Sequence, residues 1–196
     1  MPRAKWAAGN PAPPTNNPNE VAIEAMNAIL GGEFGSRVNM NLREDKHWSY
    51  GAFTLLRDAR GQRPFVAYAP VQTDKTKESM VELQKELQGI LGPRPITDEE
   101  LAKAKSTLTL TLPGEWETMA ELATTIRSIV TFGLDDRYYD TYPGKVRALT
   151  TKDLEPAAGQ VVHPDRLVWV IVGDRAKIEA GIRELNLGEV KVIEAS

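Results

Sequence analysis

The block Ser36-Arg-Val-Asn-Met-Asn-Leu-Arg43-Glu-Asp-Lys-His-Trp-Ser-Tyr50-Gly51 has the residue types and spacing best suited to chemistry in this sequence. The pattern predicts a helix capped by Ser36 and ending near Asp45, a short turn, and a strand that begins at Tyr50. Arg43 then lies on the last helical turn and Tyr50 at the first strand residue, so both can point at one spot beyond the end of a sheet. A guanidinium offers a fixed fork of donors and a phenol one more, enough to hold a peptide carbonyl or a carboxylate. The same residues also read structurally, as a helix-end arginine pairing with Glu44 or Asp45 beside a strand tyrosine. Residue chemistry alone leaves both readings open.

Other candidates have simpler explanations. Gly31-Gly-Glu-Phe-Gly35-Ser36 precedes a helix, as anion-binding loops do, but no Gly-Lys-Ser/Thr follows and no strand comes before it. It reads as a helix stop and a tight turn. Asp98-Glu99-Glu100 is an acidic first turn favoured by the helix dipole. His163 reads as a loop histidine. Tyr138, Tyr139 and Tyr142 near Arg137 suit a packed helix face better than a peptide-binding patch. With two histidines, His47 and His163, and no cysteine, a zinc site built from this chain alone is not expected.

The 196 residues are 41% hydrophobic and 26% charged, the composition of a globular chain long enough to bury a core without disulfides. A net charge of −3 argues against nucleic acid, which leaves a basic footprint. No apolar run reaches the roughly 20 residues of a membrane span, and no signal peptide is visible at Met1-Pro2-Arg3. That start, directly ahead of a weak strand, reads as the boundary of a piece of a longer protein.

These residues must be positioned by the following elements. A short strand is expected over 4–9, then a proline-rich loop over 10–18. An apolar helix follows the Asn19 cap, carrying Val21, Ile23, Ala25, Met26, Ile29 and Leu30, and stops at Gly31-Gly32. After the Ser36 helix come strands Tyr50–Arg57 and Arg63–Val71, joined by Asp58-Ala-Arg-Gly61 as an antiparallel hairpin. Thr73 or Asp74 caps a helix with Met80, Leu83, Leu87 and Leu91, stopped at Gly92-Pro93-Arg94-Pro95. Thr97 and Glu100 form a capping box for the next helix, through Leu101, Ala104 and Leu108 towards Leu112. Thr107–Leu112 alternates like a strand, but the cap and the Ala-Lys-Ala-Lys run favour helix. Further helices are read from Trp116 to Phe132 with Gly133 as the stop, over 136–148, and over 151–160 after Thr150. Leu167–Gly173 reads as a buried strand, followed by a helix over 175–185 and a terminal strand over 189–193. This order predicts one α+β domain across 1–196, a mostly antiparallel sheet with helices packed on one face.

Met26-Asn-Ala-Ile-Leu-Gly-Gly-Glu-Phe-Gly-Ser-Arg37, Leu42-Arg43-Glu44 and Ser49-Tyr50-Gly51 resemble the C-terminal, non-zinc domain of the pitrilysin–insulinase zinc metallopeptidases. Thr97–Lys105, Leu149–Leu154 and Pro164–Gly173 extend the resemblance in co-linear order over nearly the whole chain. It implies the half-sandwich fold shared with the processing peptidases. It also implies one wall of a two-half chamber for unfolded peptides, with zinc on a His-x-x-Glu-His-bearing partner domain or subunit and no cofactor in this chain. Neither His47 nor His163 begins that zinc motif, so the chain alone is expected to be inactive. In the family an Arg and a Tyr seven positions later contact the substrate and its oxyanion from the non-zinc half. Arg43 and Tyr50 match that spacing, whereas His47-Trp48 occupies turn positions more often small or aliphatic. The alternative is a catalytically silent scaffold or peptide-binding module of the same fold. A periplasmic location for the full-length protein fits the resemblance and the lack of cysteine.

Overall fold

A computed structural model describes residues 3–110, 112 and 117–194. Strand β1 (Arg3–Ala12) alternates strictly: Ala4, Trp6, Ala8, Asn10 and Ala12 face a helical layer, while Arg3, Lys5, Ala7, Gly9 and Pro11 face the other way. It pairs antiparallel along its full length with β3 (Arg63–Gln72), from Arg3 opposite Gln72 to Ala12 opposite Arg63. Strand β2 (Phe53–Leu56) joins β3, and β4 (Val168–Val172) joins β1, giving the order β2-β3-β1-β4 with every pair antiparallel. Together with the helices this is the expected α+β architecture.

The strand reading needs four corrections. β1 runs through Pro11 instead of ending at Gly9. Pro11, Pro64 and Pro70 all fall in the same alternate set of β1–β3 pairs, and β4 and β2 stop short of them, so the missing N–H groups leave no gap in the ladder. β2 begins at Phe53, so Tyr50 precedes the strand. β4 is an edge strand rather than a buried one, with Val168, Val170 and Val172 each at least 60% exposed. A continuous apolar run does not reveal whether both faces are covered. Residues 189–194 form no strand, since the chain turns away through Asn186 (φ 51°) and Gly188 (φ 140°).

The helices are α1 (Glu20–Asn27), α2 (Arg37–Asn39), α3 (Thr76–Ile90), α4 (Asp98–Leu110), α5 (Met119–Phe132), α6 (Tyr138–Ala148), α7 (Thr151–Val161) and α8 (Arg175–Glu184). The Thr97–Glu100 capping box fixes the start of α4 and settles Thr107–Leu110 as helix. Thr118 and Glu121 form another box at α5; the earlier start expected at Trp116, and Pro113-Gly114 before it, lie outside the described residues. Gly133 at φ 67° ends α5 in the left-handed conformation that glycine adopts without strain. α1 widens into a π-helical turn over Ala28–Gly32. A Cβ on Gly31 would lie 2.5 Å from Thr54 Oγ1, so this glycine lets the turn press against β2 and needs no anion to explain it.

The core lies between the sheet and the helices. Trp6 is fully buried, donates to Ser79 Oγ on α3 (2.9 Å) and meets Trp169 edge-on, with ring centroids 5.7 Å apart. Ala4, Ala8, Ala67 and Ala69 leave room around Trp6 and Phe65. Asn10 Nδ2 donates to Val161 O (2.8 Å), tying β1 to the end of α7.

Two arginines hold the loops to this core. Arg63 is buried and binds Glu20, Asp58 Oδ1 (3.2 Å), Pro13 O (2.9 Å) and Thr15 Oγ1 (3.3 Å). Arg37 grips both oxygens of Glu100 (2.6 and 2.7 Å) and the carbonyls of Arg94 and Pro95. Burial opposes ionisation of Glu100, yet Arg37 and the Thr97 N–H outweigh it and hold this carboxyl at about 2. Burial pushes Glu24 up to about 7, although its carboxylate accepts a hydrogen bond from Tyr142 (2.6 Å).

These two carboxyls act in separate pH windows. Glu24 titrates above its ordinary value of 4.5 in the fold, so its stabilising contribution is complete below that value and is lost as pH rises through about 7. Urea denaturation of Glu24→Gln is expected to show a flatter stability profile between those limits, by at most about 3 kcal/mol. Glu100 works in the opposite sense: its contribution is present above 4.5 and lost as pH falls through about 2. Arg37→Ala is expected to cost about 3 kcal/mol at neutral pH, because it strands a carboxylate and two carbonyls, and to remove the acid-side slope.

Candidate functional site

The link between α2 and β2 is built by backbone and side-chain hydrogen bonds. Ser36 takes the extended N-cap conformation, but its buried hydroxyl makes no capping bond. Asn39 bridges the segment instead: its Nδ2 donates to Phe34 O (2.6 Å) and its Oδ1 accepts from Ala52 N (3.1 Å). α2 then widens into a π-helical turn over Met40–Asp45, an irregularity often found at functional sites.

Leu42 O closes the turn, accepting from Trp48 N (3.0 Å) and Ser49 N (3.2 Å). His47 adopts φ 56°, and its Nδ1 lies 3.0 Å from Arg43 O. Gln72, at the end of β3, donates its backbone N–H to Trp48 O and its Nε2 to His47 O (both 2.9 Å). Ser49 Oγ lies 2.7 Å from Pro70 O and accepts from Gly51 N (3.1 Å). The backbone on both sides of Tyr50 is therefore pinned to the sheet.

Both expected residues reach the surface, at this end of the sheet. Tyr50 is 73% exposed. Arg43 is half-exposed; its guanidinium lies over the Phe34 ring (4.6 Å to the centroid), and its Nε sits 3.2 Å from Glu44 Oε1. Among the described residues no hydrogen bond or stacking joins Arg43 to Tyr50. The helix-end pairing of Arg43 with Glu44 is present as the structural reading anticipated. Tyr50 has a different neighbour: the Arg3 guanidinium lies over its ring, 3.9 Å from the centroid. Sequence reading missed Arg3, because the strand was expected to start at Ala4 and no local pattern connects residues 3 and 50.

Among the described residues no group of three or more His, Cys, Asp or Glu side chains could hold a metal ion. His47 lies in the α2–β2 link and His163 in the turn after α7, before a 3₁₀ turn over Pro164–Arg166. The tyrosine cluster is largely packed inward: Tyr142 is buried against Glu24, and Tyr138 stacks on it at 5.9 Å. Among the described residues no helix is long and apolar enough to cross a membrane.

Comparison with known proteins adds to this geometry. No curated protein matches the sequence. Among solved structures, the peptidase M16 inactive domain from Pseudomonas fluorescens is similar with a TM-score of 0.80 and 19% identity, over 87% of this chain and 41% of that one. A protease from Helicobacter pylori matches with a TM-score of 0.74 and 19% identity, over 89% of this chain and 42% of that one. The periplasmic protease PqqL from Escherichia coli matches with a TM-score of 0.72 and 17% identity, over 88% of this chain and 19% of that one. This chain thus spans about two fifths of the first two structures, and at these identities the likeness is one of fold. The sequence model of the peptidase M16 inactive domain matches residues 1–108, which hold the whole Arg43–Tyr50 segment. The chain belongs to the peptidase M16 inactive-domain family, the non-zinc half of the pitrilysin–insulinase zinc proteases.

Proposed function

We propose that this chain, as one domain across residues 1–196, forms a wall of a peptide chamber and supplies Arg43 and Tyr50 to a zinc centre on a His-x-x-Glu-His-bearing half. The observation that carries this reading is the exposed Tyr50 phenol on a backbone pinned on both sides, seven residues after a half-exposed Arg43. Among the described residues no side-chain group suits zinc; in this reading the metal belongs to the other half, where it would polarise the scissile carbonyl and activate water.

On this side of the chamber, the Tyr50 O–H donates a hydrogen bond to the carbonyl oxygen of the scissile peptide as negative charge develops on it. The Arg43 guanidinium binds a neighbouring carbonyl of the extended substrate and fixes its register. Donors aimed at a developing oxyanion act more strongly on the transition state than on the ground state, so Tyr50 affects kcat. Arg43, which binds substrate and transition state alike, affects KM more. A location in the periplasm follows the example of PqqL.

One observation favours the silent scaffold instead: Arg43 is engaged by Glu44 and Phe34, and Tyr50 faces Arg3 rather than Arg43. Peptide hydrolysis by the assembled halves separates the two readings. Tyr50→Phe is expected to lower kcat about tenfold or more, equivalent to about 1.4 kcal/mol or more, while the halves still associate. Unchanged turnover would leave the scaffold. The purified chain alone is expected to show substoichiometric zinc in elemental analysis; a full equivalent that resists dialysis would overturn the assignment of the metal to the partner.

A further inference from the structure

Arg3 is a guanidinium beside Tyr50 that makes no polar side-chain contact among the described residues. It sits on the open face of the sheet, at the end of β1 that pairs with Gln72, and Gln72 is bonded to the backbone of His47 and Trp48. The β1–β3 register thus places Arg3 against the α2–β2 link. Its cation lies over the face of the Tyr50 ring at 3.9 Å. A cation–π contact occupies the face of the ring and leaves the guanidinium N–H groups that point away from it available.

Among the described residues Arg3 makes no ion pair and no side-chain hydrogen bond, whereas Arg43 is held by Glu44. Two residues along the same face, Lys5 is exposed and likewise has no carboxylate partner among the described residues. Arg3 and Lys5 thus place two cations on this face of β1, the first of them over the Tyr50 ring.

We propose that Arg3 is a second substrate-contacting guanidinium, which selects peptides carrying a carboxylate next to the segment held at Tyr50. Its face orients the Tyr50 ring, and its edge takes the carboxylate in a charge-assisted, forked hydrogen bond. Its part in turnover rests on the proposed role of Tyr50. The carboxylate preference is a binding property and stands apart from that role.

The test is fluorescence anisotropy of this chain with labelled extended peptides. One peptide carries an internal Glu, its counterpart carries Gln, and each is made with a free and with an amidated C-terminus. The Glu peptide is expected to bind about tenfold tighter than the Gln peptide at low salt. Arg3→Ala is expected to abolish this preference and Arg3→Lys to retain part of it, with unchanged circular dichroism because Arg3 is exposed. A preference that follows the free C-terminus instead, and is lost with Arg3→Ala, assigns the same site to a terminal carboxylate.

No preference in the unmodified chain, or one that Arg3→Ala leaves intact, overturns the proposal. Loss of preference in Arg3→Ala alongside unchanged turnover in Tyr50→Phe keeps Arg3 as a carboxylate anchor and rejects the catalytic reading of Tyr50. Unchanged preference rejects Arg3, whatever Tyr50 does.

Discussion

The register between β1 and β3 is the constraint on which the rest of the molecule depends. A slip of β1 by one residue would turn Trp6 out of the core and bring Lys5 into it, and a slip of β3 would instead turn out Phe65, Ala67 and Val71. Trp6 makes such a slip costly, since its large ring is buried and its indole N–H has one specific partner, Ser79. The same register puts Arg3 opposite Gln72 at one end of the ladder and Ala12 opposite Arg63 at the other. One end therefore builds the exposed cation–aromatic cluster around Tyr50, and the other builds the buried polar anchor around Arg63. A single pairing aligns both ends.

The two ends use charge in opposite ways. Around Arg63, three carboxylates from Glu20, Glu24 and Asp58 share the influence of one guanidinium. Burial raises Glu20 despite its ion pair with Arg63, and it raises Glu24, which among the described residues makes no ion pair, to about 7. Such a cluster adds little net stability, because desolvation offsets most of the attraction, but it tolerates few alternative arrangements of the loops it joins. Around Tyr50 the cations are exposed or half-exposed and lie over aromatic rings: Arg3 over Tyr50, Arg43 over Phe34, and Lys46 and Lys75 flanking Trp48. Exposed pairs of this kind fix side-chain orientation more than they stabilise the fold.

Much of this was legible in the sequence because it is encoded locally. The Thr97–Glu100 box, the Gly133 stop, the Asp58–Gly61 hairpin turn and the spacing of Arg43 and Tyr50 each depend on residues only a few positions apart. What escaped depends on partners far along the chain. Pro11 looked like a strand breaker because its tolerance lies in Pro64 and in the short reach of β4. The Val168–Val172 run looked buried because apolar residues on both faces do not disclose that one face is open. Tyr50 moved off the strand because the register at Val71 and Gln72 pairs with Ser49 and Trp48 and leaves Tyr50 outside the ladder. Arg3 was invisible for the same reason: its partner is 47 positions away, and only the β1–β3 ladder joins them.

In the proposed reading, exposure of the Tyr50 phenol also accounts, in physical terms, for a half that would be inert alone. In open water a phenol donor or a guanidinium gains little from binding a neutral carbonyl, because water offers the same hydrogen bonds. The same donors, held on a pinned backbone and covered by a second half, would act in a water-poor space where each contact with a developing oxyanion is much stronger. Preorganisation is supplied here by Asn39, Leu42, Ser49 and Gln72, which fix the backbone before any partner arrives. Exclusion of water is not supplied by this chain, since a 73%-exposed ring cannot shield its own hydroxyl. In that reading the division of labour follows from solvation: this half would hold the donors in place, and closure of the other half would make them effective.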